Sequence, residues 1–233
     1  MGQVAEGVAA VRAKVDAAYA RAGRERTEGR LMAVSKTHPP ELVEEAYAAG
    51  CRLFGENKVQ EAAAKAESLA ELSELRWAFI GHLQTNKARS VLDFASELHA
   101  LDSLKLAGAL DRRLQEAGRS LDVFIEVNTS REESKFGLAP EEVQAFAAEL
   151  RAHSSLRVRG LMTLAVYSDD EAEVRACFAT MAELQERLRN ADSVAGTYDE
   201  LSMGMSGDFE LAIEYGATTV RVGQAIFGAR PAR

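Results

Sequence analysis

Short apolar runs alternate along the chain with longer amphipathic segments. The apolar runs are rich in Val, Ile, Leu and Phe, as buried strands are, and they are LMAVS, CRLFG, WAFIG, ELHAL, LDVFIEVN, RVRGLMT, ELSMG and TTVRVG. The segments between them have helical spacing, and several end at Gly or Asn. Strict alternation of strands and helices predicts parallel pairing through right-handed crossovers. Eight units predict an α/β fold with one closed (β/α)8 TIM barrel, and an open doubly wound sheet is the alternative.

An extra helix is predicted ahead of the first strand. Apolar residues recur there at steps of three and four, namely Val4, Val8, Val11, Val15 and Tyr19. We expect this N-terminal helix over residues 1–22 and the barrel over residues 31–230. No linker or low-complexity tract divides the chain, so residues 1–233 are expected to form one domain.

Composition and charge exclude several classes of protein. The 233 residues are 47% hydrophobic, which suits a globule with a sizeable core. The formal net charge of -8 argues against nucleic acid as a partner, because phosphate backbones need a basic surface. No apolar stretch approaches the ~18 residues of a membrane span, and the N-terminus lacks the apolar core of a secretory signal. We therefore expect a cytoplasmic protein without membrane contacts.

The cysteines and histidines give no indication of a metal site. Cys51 and Cys177 are far apart without a CxxC pattern, and both are expected to be small core residues. The four histidines show neither HExxH nor another paired ligand spacing. His82 alone among them falls on the rim where the strands of the predicted barrel end.

Polar residues follow seven of the eight apolar runs. In a (β/α)8 barrel these positions meet at one end, where active sites of this fold lie. The side chains gathered there include Lys36, Asn57, His82, Gln84, Asn86, Met162 and Thr163. Lys36 is notable because an ammonium is costly to bury unless it is paired or neutralised. A lysine in an apolar barrel mouth can lose its proton and attack a carbonyl to form an imine, and a solvated loop charge is the alternative interpretation.

The alternation of side chains between the two faces of a strand places further polar groups inside the barrel. In the fifth run alternate residues are apolar and suit packing on helices, namely Val123, Ile125 and Val127. The other face would line the barrel with Phe124, Glu126 and Asn128. Arg221 is expected inside for the same reason, between two valines of the eighth run. Because a guanidinium cannot shed its proton, Arg221 needs acceptors, and an internal ion pair with Glu126 or Glu56 is the alternative to a ligand-binding role.

Two glycine-bounded turns resemble a grip for a phosphate group. Ser206 lies between Gly204 and Gly207 and is a candidate helix N-cap, where amides and a hydroxyl would together bind an anion. Gly223 and Gln224 form the second turn, and the loops after strands seven and eight commonly bind phosphate in this fold. An ordinary helix cap, with Asp208 and Glu210 offsetting the helix dipole, is the alternative.

Two classes of protein use a lysine imine of this kind. A Schiff-base aldolase would capture a sugar carbonyl, and a pyridoxal phosphate (PLP) protein would capture the aldehyde of its cofactor. The second class also needs a phosphate grip and a partner for the ring nitrogen. Ser206 with Gly223 offers the first of these, and Arg221 offers the second.

Seven motifs together resemble one known family. In order they are AVSKTHP, FGENKVQE, FIGHLQTNK, VNTSREESKFG, GLMT, LSMGMSGDFELAI and VRVGQAIFGAR, spread from about residue 31 to the C-terminus. They resemble the motifs of the pyridoxal phosphate homeostasis proteins, a single-domain family similar to the N-terminal barrel of alanine racemase. The resemblance implies PLP held as a Schiff base on Lys36, with Asn57 near the cofactor, Met162 lining the pocket and Arg221 facing the pyridine nitrogen. It also implies that the phosphate is held by Ser206, Gly223 and the amide of Gln224.

The chain departs from the family pattern at two positions. Ala78 stands where many members have His, and Gln224 stands where Thr is common. The second departure removes a hydroxyl contact to the phosphate, although the backbone amide remains.

The resemblance implies a protein that stores, buffers or delivers PLP and so influences amino-acid and vitamin B6 balance, with PLP-dependent apoenzymes as recipients. A monomer is expected because the sequence has no long exposed apolar stripe. Robust turnover is not expected, because a cationic partner leaves the pyridine nitrogen unprotonated and a weak electron sink. The second-base tyrosine of full alanine racemases comes from a C-terminal domain, which is not expected here. The alternatives are a PLP-dependent racemase with His82 or Tyr167 as second base, and a Schiff-base aldolase.

Overall fold

Eight parallel strands close into a barrel in the computed structural model, which describes residues 2–229. The strands are β1 (Arg30–Val34), β2 (Leu53–Glu56), β3 (Arg76–Phe79), β4 (Ala95–Leu101), β5 (Leu121–Val127), β6 (Leu156–Thr163), β7 (Glu200–Ser202) and β8 (Thr219–Val222). Each strand pairs with the next, and β8 pairs with β1 to close the barrel. Every predicted run forms a strand, so the (β/α)8 prediction is confirmed and the open-sheet alternative is wrong.

Helices connect the strands and surround the barrel. They are α1 (Gln3–Arg21), α2 (Pro40–Ala48), α3 (Val59–Ser68), α4 (Ala88–Leu92), α5 (Leu104–Glu116), α6 (Val143–Glu149), α7 (Glu171–Arg189), α8 (Phe209–Glu214) and α9 (Gln224–Phe227). Local chemistry explains several starts: the side chains of Ser103 and Asp170 accept hydrogen bonds from first-turn amides of α5 and α7, and Pro40 begins α2. Within residues 2–229 no helix is long and apolar enough to cross a membrane.

The N-terminal helix α1 packs on α2, α8 and α9. Its buried positions include the five apolar residues that predicted it. The Tyr19 hydroxyl donates a hydrogen bond to the carbonyl of Ala217 at 2.7 Å, which ties the end of α1 to the loop before β8. The predicted limits at residues 1 and 230 lie outside the described residues.

The barrel interior has an apolar part and a polar part. Met32, Leu53 and Ala78 form a separate apolar cluster inside β1 to β3. Gly55 faces the same part, because a Cβ there would lie 2.8 Å from the Met32 sulfur, and a larger residue would force the Met32 side chain to shift. The polar part comes from β4, β7 and β8, whose buried residues include Glu97, His99, Ser202 and Arg221. Polar groups are thereby gathered under one side of the barrel mouth.

The inward and outward faces predicted for β5 agree with the contacts of its residues. Phe124 stacks on His99 with ring centroids 3.9 Å apart, and Glu126 and Asn128 line the cavity described below. Val123 and Ile125 belong to the main apolar core, which includes the buried faces of the surrounding helices.

Candidate functional site

A cavity of about 860 Å³ opens where the strands end at their carboxyl termini. All seven residues predicted to form a binding site line it, and they are Lys36, Asn57, Met162, Ser206, Arg221, Gly223 and Gln224. They come from β6, β8 and the loops after β1, β2, β7 and β8. The fold therefore brings together residues that are up to 188 positions apart in the chain, from Lys36 to Gln224.

Lys36 lies in the turn that leads from β1 to α2. Its predecessor Ser35 is fully buried, whereas Lys36 is half-buried and lines the cavity. The next residue, Thr37, has φ of 70°, in the left-handed region that β-branched residues rarely adopt. The Lys36 side chain thus emerges at the cavity wall from a tightly turned segment.

A buried cluster of charged residues contacts this turn. The Lys65 ammonium donates hydrogen bonds to the Ser35 carbonyl at 2.9 Å, to Glu56 Oε1 at 2.7 Å and to Glu61 Oε1 at 2.8 Å. Burial raises the pKa of Glu56, although Lys65 and Ser35 oppose the shift. The sequence motifs do not identify this cluster as part of the site. Its one available signal is the four-residue spacing of Glu61 and Lys65, which is typical of a helical ion pair.

Arg221 is buried inside the barrel and fixed by neutral acceptors. Its Nη1 donates to the Ser202 carbonyl at 2.6 Å and to Ser202 Oγ at 2.8 Å, and its Nη2 donates to the Thr163 carbonyl at 2.6 Å. Burial lowers the pKa of Arg221 to about 10, so the guanidinium stays charged at neutral pH. In the described part of the chain Arg221 forms no ion pair with Glu126 or Glu56, so that alternative is wrong. Glu56 cannot reach it because Gly55, its neighbour in β2, faces the interior and Glu56 faces α3.

Ser202 links Arg221 to a chain of polar contacts through the barrel. Ser202 Oγ lies 2.9 Å from His99 Nδ1, and His99 Nε2 lies 3.0 Å from Glu97 Oε2. Arg30 donates to the other oxygen of Glu97 at 2.8 Å. Burial lowers the pKa of His99 to about 4, so its imidazole is neutral at neutral pH.

The donors along this chain have one consistent direction. Burial alone would raise the pKa of Glu97, but His99 and Arg30 lower it to about 2, so Glu97 is an ionised acceptor. It must therefore receive the Nε2 proton of His99, which leaves Nδ1 to accept from the Ser202 hydroxyl. Ser202 Oγ in turn accepts from Arg221.

Glu126 brings an unpaired carboxyl oxygen to the cavity. Its side chain is buried, with 7% of the residue exposed, and Oε2 has no hydrogen-bond partner among the described residues. Burial raises the pKa of Glu126 to about 7, with a further rise from Asp102 and an opposing effect of Arg221. The carboxyl group therefore gains or loses its proton near neutral pH.

The loop after β7 differs from the predicted cap. Asp208, not Ser206, is the N-cap residue of α8, and its Oδ1 accepts a hydrogen bond from the Met205 amide at 2.5 Å. The prediction that Ser206 caps the helix is wrong because Phe209, not Gly207, is the first helical residue. Ser206 is instead exposed on the cavity wall, where its hydroxyl can face a ligand.

The turn after β8 also faces the cavity. Gly223 is the N-cap residue of α9, and Gln224 is its first residue. Backbone N–H groups at such a position have no acceptor within their own helix. Together with the Ser206 hydroxyl they give the cavity a set of neutral donors suited to an anion.

The mouth of the cavity is more aromatic than predicted. His82 stacks on Phe136 with ring centroids 3.8 Å apart, and its Nδ1 lies 3.2 Å from Asp102 Oδ2. Tyr167 is fully exposed at the same mouth. His38 also lines the cavity, so the expectation that His82 is the sole histidine there is wrong. Across residues 2–229 no three His, Cys, Asp or Glu side chains are grouped closely enough to hold a metal ion.

The donor set of the cavity fits a ligand with an aldehyde, an anionic group and a polar ring. Lys36 supplies an amine, and Arg221 supplies a buried cation. The turns after β7 and β8 supply hydrogen-bond donors for an anion. Among the buried oxygens without a partner in the described structure, two belong to residues that line the cavity, namely Asn57 Oδ1 and Glu126 Oε2. Buried polar atoms without partners are rare, so these oxygens indicate a polar ligand.

Comparison with known proteins gives consistent matches over almost the whole chain. Residues 8–231 match the family model described as alanine racemase, N-terminal domain. A pyridoxal phosphate homeostasis protein of Pseudomonas aeruginosa is 43% identical over 99% of this chain and 97% of its own. The structure of PipY of Synechococcus elongatus with PLP bound is 38% identical, with a TM-score of 0.82 over 97% of this chain and 100% of its own. Alanine racemase of Corynebacterium glutamicum, at 16% identity, shares the fold, with a TM-score of 0.71 over 99% of this chain and 62% of its own.

Proposed function

Because the chain belongs to the pyridoxal phosphate homeostasis protein family, within the family of the alanine racemase N-terminal domain, we propose that it holds PLP as a Schiff base on Lys36. The protein buffers the cofactor or delivers it to other proteins, and so influences vitamin B6 and amino-acid balance. The observation that carries this proposal is the meeting of Lys36, Arg221 and the two anion-binding turns in one cavity. PLP supplies an aldehyde that reacts reversibly with amines, which suits storage and release.

Lys36 provides the covalent attachment in this proposal. Its neutral amine attacks the aldehyde carbon, a carbon–nitrogen bond forms, and the carbonyl oxygen leaves as water. Lys36 is half-buried and lines the cavity, so its amine is placed to meet an aldehyde bound there.

The remaining predicted residues orient the cofactor. The Ser206 hydroxyl, Gly223 and the Gln224 amide hold the phosphate, and Met162 and Asn57 line the wall beside the ring. Gln224 has no hydroxyl to offer, so its backbone N–H makes the contact. Arg221 faces the pyridine nitrogen and donates to it.

Arg221 is the reason for proposing that the protein holds PLP rather than uses it for catalytic turnover. A charged guanidinium does not give up its proton to the ring nitrogen, so the ring remains a weak electron sink. Reactions that need a strong sink are therefore slow at this site. PLP-dependent apoenzymes as recipients, a monomeric state and a cytoplasmic location belong to the same proposal.

Absorption spectroscopy tests the proposal directly. PLP is added to the parent protein, to Lys36→Ala and to Lys58→Ala, and the excess is removed. Lys58 is the matched control, because it is exposed and does not line the cavity. We expect the visible band of a Schiff base in the parent and in Lys58→Ala, and its loss in Lys36→Ala. A colourless parent, or an unchanged band in Lys36→Ala, contradicts the proposal.

A weak racemase is the second candidate, since His82 and Tyr167 both line the cavity mouth. Either side chain would act as the second base there. Steady turnover of alanine or serine enantiomers, lost in His82→Ala or Tyr167→Phe, would favour this activity. An aldolase would instead remain colourless with PLP and would be trapped by borohydride at Lys36 only with a carbonyl substrate.

A further inference from the structure

The buried cluster of Glu56, Glu61 and Lys65, named here the turn cluster, lies beside the cavity without lining it. It joins β2 and α3 to the turn that follows β1. Its hydrogen bonds reach the residues on both sides of Lys36, and this placement raises the question of what the cluster does for that lysine.

Lys65 uses all of its donors in this arrangement. An ammonium has three N–H groups, and the three acceptors are the Ser35 carbonyl, Glu56 Oε1 and Glu61 Oε1. Only 4% of Lys65 is exposed. A lysine this fully engaged cannot offer a lone pair to a ligand, so its role is to hold other groups.

The two neighbours of Lys36 are fixed by the same three side chains. Ser35 Oγ donates to Glu56 Oε1 at 2.7 Å, while the Ser35 carbonyl accepts from Lys65. On the other side, the Thr37 amide donates to Glu61 Oε1 at 2.5 Å. The main chain is therefore held on both sides of Lys36, and these contacts decide where its side chain begins.

The turn needs such contacts because its conformation is unfavourable. Thr37 is β-branched and has φ of 70°, and its Oγ1 is buried without a hydrogen-bond partner in the described structure. Strained residues of this kind persist when their surroundings hold them, and they concentrate at functional sites. A relaxed turn would move the Lys36 backbone and point its side chain elsewhere.

We propose that Lys65, held between Glu56 and Glu61, is a positioning residue that fixes the Ser35–Thr37 turn and thereby aims the Lys36 amine into the cavity. This inference rests on the proposed function, since it concerns the amine that captures the cofactor. The turn cluster acts through the backbone, since its three side chains do not line the cavity.

The test compares Schiff-base formation in variants that remove or keep these contacts. The variants are Lys65→Met, Glu61→Ala and Glu61→Gln, each mixed with PLP while the rise of the visible band is followed. We expect Lys65→Met and Glu61→Ala to react at least about tenfold more slowly, because a tenfold loss corresponds to ~1.4 kcal/mol, within the usual cost of backbone strain. Glu61→Gln should recover most of the parental rate, since its amide oxygen still accepts from Thr37 and Lys65.

Asp111→Ala is the matched control for a purely structural role. Asp111 on α5 is also a buried carboxylate that accepts from a loop amide, that of Ser155 at 2.8 Å, but this loop precedes β6 at the other end of the barrel. Asp111→Ala should lower the melting temperature and leave the rate of Schiff-base formation within about twofold of the parent.

The outcomes separate the inference from the proposed function. A parent that forms no Schiff base overturns the proposed function before any variant is compared. A coloured parent with equally fast Lys65→Met and Glu61→Ala overturns the positioning role, and so does an Asp111→Ala variant that is slowed as much as they are. Should Lys65→Met fail to fold, Glu61→Ala decides alone, because Glu61 is partly exposed and its loss is milder. Borohydride reduction and peptide mapping then show whether label has moved from Lys36 to other lysines.

Discussion

Two buried polar networks lie beside the cavity without lining it, and they hold different residues of its wall. The turn cluster lies between β2 and α3 and binds main-chain groups on either side of Lys36. The interior chain, which comprises Arg30, Glu97, His99 and Ser202, runs through the barrel and binds the Arg221 side chain. One network therefore places a backbone turn, whereas the other orients a guanidinium.

The networks also differ in their charge states. The pKa of Glu97 is held at about 2 by His99 and Arg30 against the effect of burial, so the interior chain keeps its charge at neutral pH. The pKa of Glu56 is raised by burial despite Lys65, so the turn cluster has a carboxyl group that can become neutral. This difference indicates that loss of a partner is costly in the interior chain and better tolerated in the turn cluster.

The largest predicted effect is that of Glu97→Ala. This change leaves the Nε2 proton of His99 without its acceptor and removes a partner of Arg30. We expect the free energy of unfolding to fall by about 4 kcal/mol, as when one member of a buried pair is removed. Urea denaturation measures it, with Glu74→Ala as control, because Glu74 pairs with Arg52 on the surface and such pairs are worth at most ~1 kcal/mol. Equal losses in the two variants would contradict the comparison.

The second effect concerns Glu126, which lies near Arg221 without pairing to it. Its pKa is raised from 4.5 to about 7. Its contribution to stability is therefore complete below about pH 4.5 and is lost as the pH rises through 7.

Glu126→Gln should remove this part of the pH dependence. The neutral amide keeps the shape of the protonated acid, so the variant should exceed the parent in stability by up to about 3 kcal/mol above neutral pH. Urea denaturation across the pH range measures the difference. The exposed Glu116→Gln should keep the parental profile, and a Glu126→Gln profile parallel to that of the parent would show that Glu126 is ionised throughout.

Lys65→Met should have a smaller effect on stability, with a pH dependence of its own. Glu56 can take up a proton and remain buried, so the expected loss is about 2 kcal/mol in mildly acidic solution. Without Lys65 the Glu56 pKa rises further above its unfolded value, so the loss should grow as the pH rises. Urea denaturation at about pH 6 and about pH 9 tests this sign, and Lys58→Met serves as the exposed control. A loss that shrinks with pH would show that Glu56 remains ionised after Lys65 is removed.

Sequence patterns predicted the barrel because the apolar composition of each strand reflects its own burial. Eight apolar runs and their helical spacers need no knowledge of distant contacts, and all eight form strands. The position of the cavity could also be predicted, because the strands of a (β/α)8 barrel bring the residues that follow their carboxyl ends together. The roles given to Lys36 and Arg221 came in part from family resemblance, and they remain predictions.

The networks themselves could not be predicted in the same way. His99 and Ser202 are 103 residues apart, and a contact between them depends on strand register and side-chain rotamers. Glu56 lies at the end of an apolar run, but only the barrel geometry shows that it faces α3 while Gly55 faces inward. The Ser206 cap was misplaced by two residues because a glycine-rich loop gives no periodicity from which to locate the start of a helix.

The smallest predicted effect is that of Ser202→Ala, which tests whether the interior chain affects the reaction of Lys36 as the turn cluster does. The change removes the hydroxyl that joins His99 to Arg221, but the guanidinium keeps its bonds to the carbonyls of Ser202 and Thr163. We expect a loss of about 1 kcal/mol in the free energy of unfolding and a Schiff base that forms on Lys36 at a rate close to that of the parent. Stopped-flow mixing with PLP measures this rate beside that of Glu61→Ala. A slower reaction in Ser202→Ala than in Glu61→Ala would show that the orientation of Arg221, rather than the turn at Lys36, limits capture of the cofactor.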